Sequence, residues 1–554
     1  MKVKTALMGM ASCTLALIGA MPASAAAQNA VDQGDAGTVA RDTLVNEAPA
    51  TSAPAASPGL TGRAAATSAL SGTVPVGAIR ITGARSLPLS AYAPVIDSYV
   101  GRDLDPAALR ALAGAVADVA RQNGFGLATA WIPPQTVVGR MLEVVVDEGT
   151  IDSIEVKGAA ERPVARLLAP LVGAGPVTTA AVERRLQLAG DVEGVTIGKS
   201  RLDRRGRRNV LVVETRRQNA IGYASLDNWG TDTVGPVRAQ ASVNILGVAG
   251  DDDRLQVGGV VTPFQPREFR LGQLGYAKPI GTSGTILELS GYYAQSKPGG
   301  SLRNRQLTSD SVSVSFELSQ PLVRTRKSGL WLAGKLNLRD SEQDAAGIAR
   351  RDDRIASASL LARGFARFGR DRLRGRVAIV QGLDILGASG TIAPLASRDD
   401  ADGTFTKVEA WGDYQLSLGK RASLVVAAEA QLADQALLSS EEFGVGGRSF
   451  GRGFDYREVS GDRGAAASAE LRFDLAKLPR PVRAAQLYVY GDVGVAGNRE
   501  TGFGGGTLAS AGGGIRLSTE RLSGSFELGV PLKDANRPSS ARDVRASFTL
   551  SARF

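Results

Sequence analysis

From Asn219 onward the chain alternates apolar and polar residues, and it keeps that period of two to its last residue. The closing stretch, VRASFTLSARF, is the cleanest case. Phe548, Leu550, Ala552 and Phe554 point one way, and Arg545, Ser547, Thr549, Ser551 and Arg553 point the other. A period of two belongs to a β-strand with unlike faces. The same stripe runs through Val237, Ala239, Ala241, Val243 and Ile245, through Val312, Val314, Phe316 and Leu318, and through Leu424, Val426, Ala428, Ala430 and Leu432. It recurs in Leu330, Leu332, Gly334, Leu336 and Leu338 and in Phe526, Leu528 and Val530, with Lys, Arg, Glu, Gln and Ser opposite. About sixteen strands are predicted over 218–554 on this reading.

A soluble sandwich also alternates, so the connections discriminate. Links after even-numbered strands are short, as in KPIGT (278–282), GK (419–420) and ER (520–521). Those after odd-numbered strands are longer, at 340–354, 383–402, 434–463 and 496–505. Short turns at one rim, long loops at the other, an even count and a terminal aromatic predict an outer-membrane β-barrel. Arg or Lys on a lipid face costs ~2–4 kcal/mol at the bilayer midplane, so the polar stripes are placed inside.

Ahead of the barrel the texture is different. GAIRITGA alternates like a strand, and LDPAALRALAGAVADVARQNG carries an Asp105-Pro106 start and a Gly124 stop around an apolar helical stripe. LATAWIPP and MLEVVVDEG read as two further strands, and the series then repeats through NVLVVETR. The prediction is two small α+β units in tandem, 74–148 and 149–217. Residues 26–73, rich in Ala, Ser, Thr, Gly and Pro, read as a linker with one weak helix around Ala30 to Asn46.

The first residues set the compartment. Lys2 and Lys4, an apolar run from Ala6 to Ala20, and Ala23-Ser24-Ala25 form an export signal over 1–25. The single cysteine, Cys13, lies within it, which leaves the mature chain without disulfides or thiol chemistry. The 65 basic and 55 acidic residues give a net charge of +10. In an exported protein this points to anionic lipid headgroups, lipopolysaccharide or a charged pore wall rather than to nucleic acid. With no histidine, Ser-His-Asp and Cys-His mechanisms and His-ligated metals are excluded. GVTIGKS has three residues between its glycines where a phosphate loop has four, and Glu193 stands where Gly is required. Asp251, Asp252 and Asp253 read as a solvated turn, and GFGGGT (502–507) as a flexible loop.

The longest predicted loop, about Ala433 to Gly464, contains GGRSFGRGFDYREVSGDRG. Gly451 and Gly453 flank Arg452 and leave its backbone uncrowded. From Arg452 to Gly464 the arm reaches roughly 40 Å when extended at ~3.3–3.6 Å per residue, longer than the ~25 Å apolar band. A guanidinium folded into the lumen needs a carboxylate. In QLYVYGDVG of the thirteenth strand, Leu487, Val489 and Val493 take the lipid face, so Tyr488, Tyr490, Asp492 and Gly494 face inward. Asp492 is the expected partner, able to accept a bidentate fork from Arg452.

On these residues the chain, from about Val74 to Phe554, resembles the two-partner secretion transporters. These are the haemolysin secretion/activation and filamentous-haemagglutinin transporter family of the POTRA–barrel superfamily. The family's tandem POTRA units run β-α-α-β-β, and QNGFGLATAWIPPQ is similar to the helix-to-strand passage of the first. Its loop motif Val-Arg-Gly-Tyr/Phe is similar to Gly451-Arg452-Gly453-Phe454, with Gly in place of Val. Its wall motif is met by Tyr488, Tyr490, Asp492 and Gly494. The resemblance implies a plug helix near Ala30 to Asn46, no enzyme activity, no cofactor and no metal. It also implies a large secreted exoprotein whose N-terminal secretion domain binds the POTRA units, with activation of that partner left open. Insertion would use the barrel-assembly machinery, through the strand ending at Phe554. Two other functions stay open on sequence: a barrel-assembly insertase, and a passive solute porin.

Overall fold

The computed structural model describes residues 31–45, 72–205, 208–390, 393–499, 504–533 and 543–554. The expected leader lies outside these residues, as does most of the linker.

Sixteen antiparallel strands form a closed barrel. Each pairs with its neighbour in the chain, and the last, Arg545–Arg553, closes on the first, Ala220–Asp227. That seam runs from Thr549↔Asp227 to Arg553↔Tyr223. The two faces divide as alternation requires. Val312, Val314, Phe316 and Leu318 are exposed outward, while Ser311 and Ser313 between them are buried. The inner serines bond sideways across the wall, Ser311 Oγ lying 2.8 Å from Ser341 Oγ.

One expected long loop is absent. Residues 340–354 continue the seventh strand (Ser328–Ala345) and the eighth (Ile348–Phe368), joined by a tight turn. Ala346 and Gly347 turn the chain at φ 52° and 80°, the left-handed geometry that matches strand twist in a two-residue hairpin. The alternation vanished here because charge lies on both faces of a hairpin standing clear of the apolar band. Its charges pair across the ladder, as in Arg354–Asp340 at 2.9 Å.

Inside the barrel lies a helix, α1 (Ala36–Val45). It lies within the stretch, Ala30 to Asn46, where the sequence predicts one weak helix in the linker, and it is ordered by packing rather than by propensity. Ala36, Val39 and Ala40 are buried against Val234, Val260, Phe269 and Leu271 of the wall. Small residues are needed for that approach: a Cβ on Gly37 would sit 2.6 Å from Ser341 Oγ. Asp35 caps the helix, accepting from Thr38 N–H at 2.8 Å and from Ser309 Oγ at 2.8 Å.

The first α+β repeat comprises Ala78–Thr82, α2 (Ala93–Tyr99), α3 (Pro106–Gln122), Thr129–Trp131 and Met141–Asp147. The first and third strands are parallel, and the helices cover one face. Leu109, Leu112 and Val116 of α3 pack with Leu142, Val144 and Val146. Asp105 caps α3 by accepting from Ala108 N–H at 2.7 Å. The second repeat has the same order: Ser153–Gly158, α4 (Glu161–Leu168), α5 (Thr179–Gly190), Val195–Arg205 and Arg208–Arg217.

This second repeat docks on the short-turn rim. Asp191 accepts from Arg324 Nε at 2.6 Å and Nη2 at 2.7 Å, and Glu193 accepts from Arg254 at 2.9 Å. Asp251, Asp252 and Asp253 are therefore not a solvated turn. Asp251 pairs with Arg162, Asp252 pairs with Arg166, and Asp253 is buried. Burial alone would raise the Asp253 carboxyl, but the Tyr276 hydroxyl and the N–H groups of Ala249, Val248 and Gly250 hold it below the usual range. A run of like charges looks solvated in sequence; its partners came from a different domain.

Candidate functional site: a loop and a helix inside the barrel

The connection between the eleventh strand (Ala422–Ala433) and the twelfth (Arg463–Asp474) folds back into the lumen. It contains a small hairpin, Phe443–Val445 paired with Val459–Gly461. Phe443, Val445, Phe450 and Phe454 bury their side chains against Ala466, Ala496 and Leu508 of the wall. The apolar content of the loop thus supplies adhesion, and its glycines supply fit. Phe454 N–H donates to Gly451 O at 2.9 Å, closing a turn in which Gly451 has φ 76°. A β-branched residue is strained at that angle, so Gly in place of Val is consistent with this turn. A Cβ on Gly453 would meet Pro531 N, Ser510 Cβ and Val530 C at 3.0 Å, so the loop backbone lies flat on strands 14 (Gly506–Ser518) and 15 (Leu522–Lys533).

That contact delivers Arg452 to the thirteenth strand (Ala484–Gly497). Arg452 Nε donates to Asp492 Oδ2 at 3.0 Å and Nη2 to Asp492 Oδ1 at 2.9 Å, a bidentate fork. The Arg452 backbone N–H donates to the same Oδ2 at 3.0 Å. Nη1 reaches Glu470 Oε2 at 2.7 Å and Nη2 reaches Ser468 Oγ at 3.0 Å. The Tyr490 ring centre lies 3.4 Å from the guanidinium carbon. Arg452 and Asp492 are both buried, so the pair is desolvated, and removing either partner strands the other.

Tyr488 and Gly494 occupy the same inner face. The Tyr488 hydroxyl donates to Glu527 Oε2 at 2.7 Å, and Arg516 lies over its ring at 3.7 Å. A Cβ on Gly494 would fall 2.4 Å from Val445 Cγ1, so Gly494 is where the loop hairpin crosses the wall.

Sequence reasoning missed the rest of this network. Glu470 accepts from Arg472 Nε at 2.6 Å and from Arg516 at 2.6 and 3.0 Å. Arg452, Arg472 and Arg516 are thereby balanced by Glu470, Asp492 and Glu527. The two tyrosines fit because strands 14 and 15 lack side chains beneath them. A Cβ on Gly512 would lie 2.5 Å from Tyr490 Oη, and one on Gly514 2.6 Å from Tyr488 Oη. The signals were present: Ser468, Glu470 and Arg472 share one parity, and three glycines in mid-strand mark a close approach.

A second ionic cluster ties the loop to α1. Arg41 donates to Ser440 O at 2.7 Å and to Glu409 Oε1 at 3.0 Å. Tyr456 Oη donates to Thr38 O at 3.0 Å, and Gln33 Nε2 to Arg457 O at 3.0 Å. Beneath them Lys407, 1% exposed, pairs with Glu409 at 2.9 Å and Glu441 at 2.7 Å. Arg398 bridges Glu442 at 2.9 Å and Asp462 at 2.6 Å. Helix and loop are joined to each other by these polar contacts, while each also rests on its own apolar cluster of the wall.

Comparison with known proteins agrees with this geometry. The family model "Haemolysin secretion/activation protein ShlB/FhaC/HecB" matches residues 206–517, and "POTRA domain, ShlB-type" matches residues 74–149. The heme/hemopexin transporter protein HuxB of Haemophilus influenzae is 24% identical over 420 residues, covering 72% of each chain. The outer membrane transporter CdiB of Escherichia coli is 24% identical over 484 residues, covering 82% of this chain and 79% of that one. The solved structure of CdiB from Escherichia coli superposes with a TM-score of 0.71 at 21% identity, covering 98% of this chain and all of the other. CdiB from Acinetobacter baumannii gives a TM-score of 0.64 at 17% identity, with coverage of 97% and 100%. Because the barrel model spans more than half of the sequence, the chain belongs to the ShlB/FhaC/HecB haemolysin secretion/activation family, the POTRA-bearing outer-membrane transporters of two-partner secretion.

Proposed function

We propose that this chain recognises one large exoprotein in the periplasm through its POTRA units and exports it, unfolded, through the barrel lumen to the cell surface. The observation that carries the reading is the plug: a loop and a helix occupy part of the lumen, tied to each other and to the wall by ion pairs and hydrogen bonds. The docking of the second repeat on the short-turn rim supports a route in which cargo is captured beside the pore mouth. An exposed POTRA sheet edge would take the secretion domain by strand addition, with backbone hydrogen bonds giving affinity. Folding outside buries apolar surface and makes return unfavourable, which supplies direction without a nucleotide.

In this reading α1 leaves the lumen when cargo arrives, while Arg452 keeps the loop seated against the thirteenth strand. Tyr488, Tyr490, Asp492 and Gly494 form the seat, and Gly451, Gly453 and Phe454 shape the loop to it. The test is secretion of a reporter fused to the N-terminal secretion domain of a candidate partner exoprotein. The reporter should reach the medium only when this chain is present. Retention in the periplasm despite a correctly inserted barrel would leave a passive porin as the better reading.

A further inference from the structure

The plug does not fill the barrel. A cavity of about 1300 Å³ remains, bounded by Phe365, Arg374, Arg376, Trp411 and Glu429 and reaching Gly494 beside the folded loop. It exceeds the ~300–1,000 Å³ typical of small-molecule pockets. The eighth strand, the ninth (Asp371–Leu383) and the tenth (Thr406–Ser417) supply about half of its lining, and Arg367 and Arg372 lie on the first two of these strands just beyond it, toward the short turn at 369–370.

The charge on this wall is uneven. Arg374 makes a bidentate pair with Asp413, both bonds 2.7 Å, and Arg376 pairs with Glu429 at 3.1 Å. Arg363 lies 3.7 Å from Glu317. Arg367 and Arg372, opposed in register across the two strands, have no such ion pair among the described residues. The guanidinium of Arg367 faces the Phe365 ring at 5.9 Å, and Arg372 Nε is buried without a hydrogen-bond partner among the described residues. A donor kept out of water and unmatched costs free energy, so Arg372 Nε is open to an acceptor from outside the chain. Trp411 lies under Arg374 at 5.7 Å, which adds aromatic faces between the guanidinium forks.

Position fits a passing chain. The second POTRA repeat bonds to the rim at 252–254, 279–282 and 321–326. The arginine wall begins beside the next turns round the barrel, Gly369–Arg370 and Leu418–Arg421. Cargo handed from the POTRA units would therefore meet Arg367 and Arg372 on entry.

We propose that the arginine–aromatic wall of strands 8 to 10 is a track for the exported polypeptide, and that it favours extended segments bearing Asp and Glu. The proposal rests on the export reading. Guanidinium forks take carboxylates in two-point contacts, and the flat rings tolerate whatever side chains lie between. The two arginines unpaired among the described residues leave the wall with an excess of positive charge, and salt weakens the attraction this exerts on acidic segments.

The test uses the full chain in detergent micelles and three fluorescent, unstructured peptides of equal length: Glu/Ser, Lys/Ser and Gln/Ser. Binding of the Glu/Ser peptide should be at least ten-fold tighter than either other and weaken as salt rises. The Arg367→Gln/Arg372→Gln pair should lose most of that preference while the barrel keeps its unfolding temperature. Inorganic phosphate at the same charge concentration should compete poorly, because it cannot span the wall. Equal binding of the three peptides, an unaltered preference in the double variant, or full displacement by phosphate would each overturn the proposal. Peptide preference without reporter secretion would instead leave the track standing and remove the export reading.

Discussion

Two parts of the inner wall, a quarter-turn apart in strand order, solve opposite electrostatic problems. On strands 12 to 15, three arginines meet three carboxylates, and a tyrosine ring lies close beneath two of those arginines. On strands 8 and 9, five inward arginines meet fewer acids, and two of them have no carboxylate partner among the described residues. The balanced region grips the protein's own loop; the unbalanced one keeps these two unpaired arginines on the inner wall near the short-turn rim. The lesson is that charge count alone does not mark a binding surface in a pore. A matched cluster is a joint, and an unmatched one is a surface for something that arrives later.

The comparison breaks most visibly at the joint. Asp492→Ala leaves Arg452 buried without its main acceptor and should cost about 3–5 kcal/mol in loop retention. Export should fall at least ten-fold, and protease added outside the cell should cut the loop that wild type protects. Next comes the space under the tyrosines. Gly512→Ala sets a methyl against Tyr490 Oη at 2.5 Å and Leu528 O at 2.2 Å, so about 1–3 kcal/mol of overpacking is expected. A lower unfolding temperature of the folded barrel on heated gels reports it. Gly451→Val, which restores the family residue, meets the φ of 76° and should cost about 1–3 kcal/mol. The loop should loosen, with a partial fall in export. The smallest effect falls on the other wall: Arg367→Gln with Arg372→Gln removes no ion pair, so stability should change by no more than about 0.5 kcal/mol.

How much of this was legible depends on the range over which the information acts. Strand faces were, because a residue such as Val314 or Ser313 reports its side through its neighbours alone. The meeting of Arg452 with Asp492 was also within reach, since it needs only an inward parity at 492, a long flexible arm, and the cost of burying a lone charge. The further members showed only their inward parity. Glu470 and Arg516 look like any wet lumen charges until strand register sets them side by side. Asp251 to Asp253 read as solvated because Arg162 and Arg166 lie far back in the chain. The hairpin at 340–354 reads as a loop because two-sided wetting erases a period of two. Helix α1 was faint for a related reason. Its residues are small and its stripe narrow, so its order comes from the lumen that surrounds it.

The most direct measurement is a charge-exchange cycle at the joint, with reporter secretion as the readout and barrel insertion checked in every strain. Arg452→Asp and Asp492→Arg should each abolish export alone and recover part of it together. Undiminished secretion by either single variant, or no recovery in the pair, would contradict the claim that this contact holds the loop for transport.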